Sequence, residues 1–268
     1  ERFDPWFDRI LINTCRNRLR ASRGHATDIS PQLLAMLARF VDSQPALRGR
    51  VRTFCFDLHR RFFRDDAFDL VIGAAIHGRS TMSGDLISKY SAIADWKRSY
   101  HATGEPLNDF SAMIAMQSVD NLVHHPVKAI DDLAFLQLVC GALVMSGVAM
   151  EVAGSSRPAS GSEHLISHAY DQIAEKPRMH GEQVGVATIA TTWLQSNPAH
   201  DTVIQVLDET GFSAFLAEHP LDRATFLEAV RLAPTVKPGY HTVLSEPGAV
   251  ARLEQYLVED SFWDGYLA

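Results

Sequence analysis

The chain has 268 residues, enough for one large domain or two of ordinary size, and a hydrophobic content of 46% places it with globular rather than disordered proteins. Its net charge of −7 is unevenly spread: residues 1–64 hold 13 arginines against 6 carboxylates, and the remainder is acidic. The basic residues Arg48, Arg50, Arg52, Arg60, Arg61 and Arg64 are interleaved with apolar positions at helical spacing, which describes a solvated or docking helix face rather than a nucleic-acid surface.

Cys15, Cys55 and Cys140 are odd in number and lack metal-type spacing, so neither a disulfide framework nor a cysteine zinc site is expected, and a reducing cytoplasm is the expected location. Residues 5–23 predict an amphipathic helix. A second follows an N-cap at Asp28 or Ser30, with Leu33, Leu34, Leu37, Phe40 and Val41 on one face. A third carries Leu47, Val51, Phe54, Leu58 and Phe62 to Arg64. Residues 1–66 are thus expected to form a basic helical segment of unassigned role, and residues 67–268 a second domain.

In that second part, Gly84-Asp-Leu-Ile-Ser-Lys89 predicts a helix start with Asp85 at its N-terminus, running on through Ile93 and Trp96. Helices are expected from Asn108 to His125 and over 131–153. The uncharged run 133–150 contains Gln137, Gly141, Ser146 and Gly147 and has no basic flanks, which favours a core helix over a membrane span. A Gly, Ser and Pro-rich stretch then interrupts the helix, and a new one begins with His164 and His168 one turn apart. Further helices are predicted over 181–195, from Asp201 to near Gly211, from Ala214, over 221–233, and from Glu246-Pro247 through Tyr256. No alternating strand pattern stands out, so the expected class is mainly α.

Three imidazoles, His164, His168 and His180, lie around a helix start, and with a carboxylate from elsewhere they form a mixed nitrogen and oxygen donor set suited to a divalent ion. A structural or surface role for the same histidines stays open on these grounds. The backbone N–H groups after Gly161, with Arg157 nearby, form a second candidate, an anion site for a phosphate. Ser160 and Ser162 lack the strand-turn-helix setting of a nucleophile elbow.

Six segments carry a resemblance to a known family: Gly84-Asp-Leu-Ile-Ser-Lys89, Ala92-Ile-Ala-Asp-Trp-Lys97, Ser156-Arg-Pro-Ala-Ser-Gly-Ser-Glu-His-Leu-Ile-Ser-His168, His180-Gly-Glu-Gln-Val-Gly185, Glu228-Ala-Val-Arg-Leu-Ala-Pro234 and Lys237-Pro-Gly-Tyr-His-Thr-Val-Leu244. Over about residues 80–245 the chain resembles the glycerol-1-phosphate dehydrogenases, within the superfamily of iron-containing alcohol dehydrogenases and dehydroquinate synthase-like enzymes. The resemblance implies a multi-helix catalytic domain holding Zn2+, or another divalent ion, through Asp85, His164 and His180. It also implies a substrate contact at His168, with Asp85 and His168 as the catalytic pair and Arg157 on the substrate side. The implied partners are NAD(P) and a small phosphorylated or polyol substrate, with no nucleic acid and no membrane; a homo-oligomer is expected.

The chain departs from the family in one respect. The resemblance implies a dinucleotide-binding domain with a Gly-Gly-Gly turn ahead of the helical one. Residues 1–64 contain only Gly24 and Gly49, and their period is helical, so the residues that would bind the cofactor are unknown. The approach to Asp85, Ile76-His-Gly-Arg-Ser-Thr-Met82, also differs. The expectations are therefore an NAD(P)-linked oxidoreductase represented here without its nucleotide domain, a zinc-dependent lyase or isomerase, or a catalytically silent binding protein.

Overall fold

The computed structural model describes residues 79–129 and 132–268. The three N-terminal helices expected over residues 5–64, and the proposed division near residue 66, lie outside the described residues. Within them the chain is all-α: ten α-helices and two 3-10 turns, with β structure limited to an isolated parallel bridge between Leu221 and Leu267.

The order is α1 (Arg79–Ile87), α2 (Lys89–Thr103), α3 (Asp109–Val123), α4 (Leu133–Ala153), α5 (Ser162–Ile173), α6 (His180–Leu194), α7 (His200–Glu209), α8 (Phe212–Glu218), α9 (Arg223–Val236), a 3-10 turn (Val243–Ser245), α10 (Ala249–Glu259) and a second 3-10 turn (Ser261–Gly265). Local chemistry sets several of the ends. Asn108, Asp132 and Asp222 are N-caps whose side chains accept from Ser111, Phe135 and Thr225 N–H groups, and Gly104 and Gly154 close α2 and α4 in the left-handed region. One expected element is different. Asp85 does not start a helix: it lies in the last turn of α1, and the chain turns at Ser88 before α2 begins. Ser88 Oγ and Lys89 Nζ each donate to the Asp85 carbonyl at 2.7 Å, which satisfies a helix-end carbonyl that the turn frees.

Helix α6 is the axis of the domain. From Glu182 to Thr192 every residue is buried, so the helix has no solvent face, and it packs against α1, α2, α5, α7 and α10. Its polar side chains are accommodated internally: Thr188, Thr191 and Thr192 return their hydroxyls to carbonyls four residues earlier at 2.7–2.8 Å. Helix α9 lies along α5, and α3 lies along α4, where Ser111 Oγ donates to Ala149 O at 2.6 Å. Helix α4 buries Phe135, Val139, Ala142 and Ala149 while Gly141 and Met145 face outward. Among the described residues, no helix is long and apolar enough to cross a membrane.

Residues 263–268 are tied to the core. Leu221 N–H donates to Tyr266 O, Ala268 N–H donates to Leu221 O, and Trp263 is fully buried beside Tyr256, which stacks on Trp193 at 3.8 Å. These contacts hold α9 and α10 to the rest of the core.

Candidate metal centre

The close crossing of α1 and α6 is made possible by missing side chains. A Cβ on Gly84 of α1 would collide with Gly181 O, and one on Gly185 of α6 would collide with the Phe212 ring. Glycine at these positions lets α1 lie directly on α6, with the buried Phe212 filling the space beside them. The next residue after Gly84 is Asp85 and the residue before Gly181 is His180, so the crossing brings those two side chains together.

Helix α5 supplies the third. Its first turn is held by Asp95 of α2, whose Oδ2 accepts from Ser162 N at 2.7 Å and Ser162 Oγ at 2.6 Å while Oδ1 accepts from Val243 N at 2.8 Å. One buried carboxylate thus ties α2, the start of α5 and the 3-10 turn at Val243 to one point. Gly161 is required at the junction, because a Cβ there would press on Ala92, on Asp95 and on Glu163. The anion site expected at this helix start is already filled. Ser162 N–H goes to Asp95, and Gly161 N–H donates to Glu163 Oε1 at 2.6 Å, so protein carboxylates occupy the place where a phosphate was expected.

Asp85, His164 and His180 form a cluster in which one donor atom from each lies within 4.8 Å of the others. Asp85 Oδ1 is 3.3 Å from His164 Nε2 and 3.9 Å from His180 Nε2. Two ligands on a tetrahedral ion with bonds of about 2.0–2.1 Å stand roughly 3.3 Å apart, so Asp85 and His164 already have that spacing, and a zinc-sized divalent ion would draw His180 closer. The site opens to solvent on one side: the side chains of Asp85 and His180 are 29% and 37% exposed, and that of His164 is 10% exposed.

The electrostatics match a cation site. Burial alone would raise the Asp85 carboxyl, but the Lys89 ammonium, the hydrogen bond to His164 and the two nearby imidazoles hold it well below the usual carboxylate range. Burial together with the adjacent His164 charge pushes His180 down to about 4, against a partial offset from Asp85, so His180 is neutral at physiological pH. His164 is the opposite case: burial lowers it, yet hydrogen bonds to Asp85 and Glu163 outweigh that and raise it.

His168 stands beside the cluster without being one of its donors. Its ring centroid is 6.3 Å from His164 and 6.2 Å from His180, stacked on the latter at 29°. The two histidines of α5 therefore differ in position: His164 is among the three converging donors and His168 is not, a difference that spacing alone does not give. Arg157, expected on the substrate side, is 1% exposed and its guanidinium is spent on the protein. It meets Glu105 through both Nε and Nη2, donates to His241 O at 2.9 Å, and lies 3.5 Å over the Tyr240 ring. Glu163, Ser167, Gln183, Lys89 and Asp95, which surround the cluster, were not singled out from sequence. All five lie in the segments that carry the resemblance, but residue by residue they read as an acidic group in a first helical turn or polar groups within a helix, patterns that also describe ordinary helix ends and satisfied core groups.

No family model matches the chain. Among curated proteins, the glycerol-1-phosphate dehydrogenase [NAD(P)+] of Staphylothermus marinus is 34% identical over 179 residues, covering 66% of this chain and 50% of that enzyme. The enzyme of the same name from Pyrococcus furiosus is 37% identical over 166 residues, 62% of this chain and 48% of its own length. That of Thermococcus sibiricus is 36% identical over 166 residues, 62% and 47% respectively. The resemblance to glycerol-1-phosphate dehydrogenases is thus real over about two thirds of the chain, and the chain spans about half the length of the curated relatives it matches.

Proposed function

We propose that this chain carries the metal-binding helical portion of an oxidoreductase of the glycerol-1-phosphate dehydrogenase type, acting on a small phosphorylated polyol or the matching ketone with NAD(P) as hydride partner. The observation that carries the reading is the convergence of Asp85, His164 and His180 from three separate helices onto one partly open site, in a chain whose relatives are named as dehydrogenases. A divalent ion held there, with zinc the preferred candidate for this donor set, supplies Lewis acidity toward an alcohol or carbonyl oxygen.

The protein's own residues do the rest. Asp85 offers Oδ1 to the ion and keeps Oδ2 3.7 Å from Lys89 Nζ, so the carboxylate carries its charge toward the site while its outer oxygen faces a buried cation. His180 offers a neutral ring. His168, half-buried and flanking both rings, is the group assigned here to hydrogen-bond the substrate and orient the reacting carbon, a role supported by its position beside the trio. Arg157 serves this arrangement indirectly, by clamping Glu105 to the segment that carries Tyr240 and His241.

The test is to load the 268-residue chain with Zn2+, supply glycerol 1-phosphate with NAD+ or NADP+, and follow reduced nicotinamide by absorbance, alongside a direct titration with NADH and NADPH. Turnover that depends on added Zn2+ is the expected result. Zinc bound at one ion per chain with no nucleotide binding at millimolar cofactor would overturn the redox reading for this chain by itself.

A further inference from the structure

The two histidine ligands each have a second ring nitrogen, and the structure engages both of them. His164 Nδ1 is 2.9 Å from Glu163 Oε1. Neighbouring residues on a helix normally point apart, but Glu163 sits in the first turn and curls back to accept from Gly161 N–H, which brings its carboxylate against the next ring. A carboxylate only accepts, so His164 Nδ1 carries the proton.

The second partner is a chain of neutral groups whose direction is fixed by its far end. Gln183 Nε2 is 2.8 Å from both Asp171 Oδ1 and the Arg178 carbonyl. Those two groups accept only, which assigns the amide nitrogen to that side and turns Gln183 Oε1 toward Ser167. Ser167 Oγ donates to Gln183 Oε1 at 2.8 Å, so it has a lone pair rather than a proton for His180 Nδ1, 3.2 Å away. His180 therefore holds its proton on Nδ1 and leaves Nε2 bare, facing Asp85 Oδ1. Ser167 and Gln183 are fully buried, so water does not compete with either link.

We propose that Glu163 and the Ser167–Gln183 pair are positioning residues that fix both imidazoles as Nε2 donors, through an ionic partner behind His164 and a neutral relay behind His180. The proposal rests on the metal-site reading above, but its central claim about His180 concerns the ion-free protein. The asymmetry has a consequence: Glu163, behind His164, adds a second negative charge to that of Asp85 to offset a +2 ion, while the relay orients His180 without adding charge.

The experiment uses the full 268-residue chain and the variants Ser167→Ala, Ser167→Thr and Glu163→Gln, with Asp85→Asn and His164→Ala as ligand controls. Two quantities are read: the tautomer of His180, from two-bond 1H–15N correlations of ring-labelled histidine in the ion-free protein near pH 8, and the Zn2+ affinity by chelator competition. In the parent His180 is expected as the Nδ1–H form. Ser167→Ala should give a mixture of tautomers and about tenfold weaker Zn2+ binding, and Ser167→Thr, which keeps the hydroxyl, should restore the parent tautomer. Glu163→Gln keeps an acceptor oxygen for His164 and removes only the charge, and about tenfold weaker Zn2+ binding is expected. A parent that shows the Nε2–H tautomer overturns the proposal, as do an unchanged His180 tautomer in Ser167→Ala and parent-like affinity in both Ser167→Ala and Glu163→Gln. If Ser167→Ala does not fold by circular dichroism, the parent tautomer and Glu163→Gln decide. A parent that binds no Zn2+, or keeps it in the Asp85→Asn and His164→Ala controls, sinks the metal-site reading instead, and the tautomer result still stands or falls by itself.

Discussion

Gly84 on α1 lies against Gly181 on α6 so closely that a Cβ at residue 84 would collide with the Gly181 carbonyl oxygen. This contact places Asp85 beside His180, and it predicts the effect of one methyl group. Gly84→Ala should part the two helices, cost about 1–3 kcal/mol of stability as an overpacked core site does, and weaken Zn2+ binding while leaving helical content nearly unchanged. Thermal unfolding and chelator competition read the two effects. Parent-like affinity in the alanine variant would show that the crossing does not set the site.

Asp85→Asn should lose most of the bound ion and all activity. The amide is neutral and a weaker donor, so the +2 charge is less compensated. His164→Ala and His180→Ala should each lose about one ion per chain by elemental analysis. Equal metal content in the asparagine variant would remove Asp85 from the donor set.

His168→Ala should behave differently, keeping the ion and losing substrate handling. The expected pattern is an unchanged Zn2+ stoichiometry with a raised KM or a lowered kcat. Loss of the ion in this variant would move His168 into the donor set.

Arg157→Lys separates a structural clamp from a substrate contact. Lysine cannot reproduce the fork to Glu105 or the stacking on Tyr240, so destabilisation of about 2–3 kcal/mol is expected, read by urea unfolding. Zn2+ affinity should stay near that of the parent. A variant with parent stability but a strongly raised KM would return Arg157 to the substrate side.

Asp95 gives a pH dependence. Burial and the neighbouring Glu163 charge raise its carboxyl to about 6, despite hydrogen bonds from Ser162 and Val243 that pull the other way. The folded state therefore holds this proton more tightly than the unfolded chain, whose value is near 3.8. The contribution of Asp95 to stability is greatest below about pH 4 and is lost as pH rises through 6, a change on the order of 3 kcal/mol. Asp95→Asn removes that slope. It also sets an amide nitrogen against one of three donors, so it should be less stable than the parent at pH 4.5, with the gap narrowing toward pH 7. A constant gap in urea unfolding of the ion-free proteins across that range would contradict the assignment.

The sequence by itself determined the helical class and most helix positions. Apolar spacing and capping residues such as Asn108 and Asp222 act within a few residues of the chain, and the observed bounds of α3 and α6 to α10 fall close to the predicted ones. The candidate metal-binding trio was legible through its resemblance to known motifs, because Asp85, His164 and His180 each sit in a recognisable local segment. Residue spacing could not divide the roles of His164 and His168, since both lie on one face of α5. It placed Asp85 at a helix start and offered the N–H groups after Gly161 as a candidate phosphate site. Only the tertiary structure shows Asp85 in the last turn of α1, Asp95 reaching from α2 to fill that anion site, and Arg157 buried against Glu105. Those outcomes depend on groups distant in sequence, and hydrogen bonding and desolvation act across space: what a carboxylate or guanidinium does is decided by the partner that packing brings within about 3 Å of it.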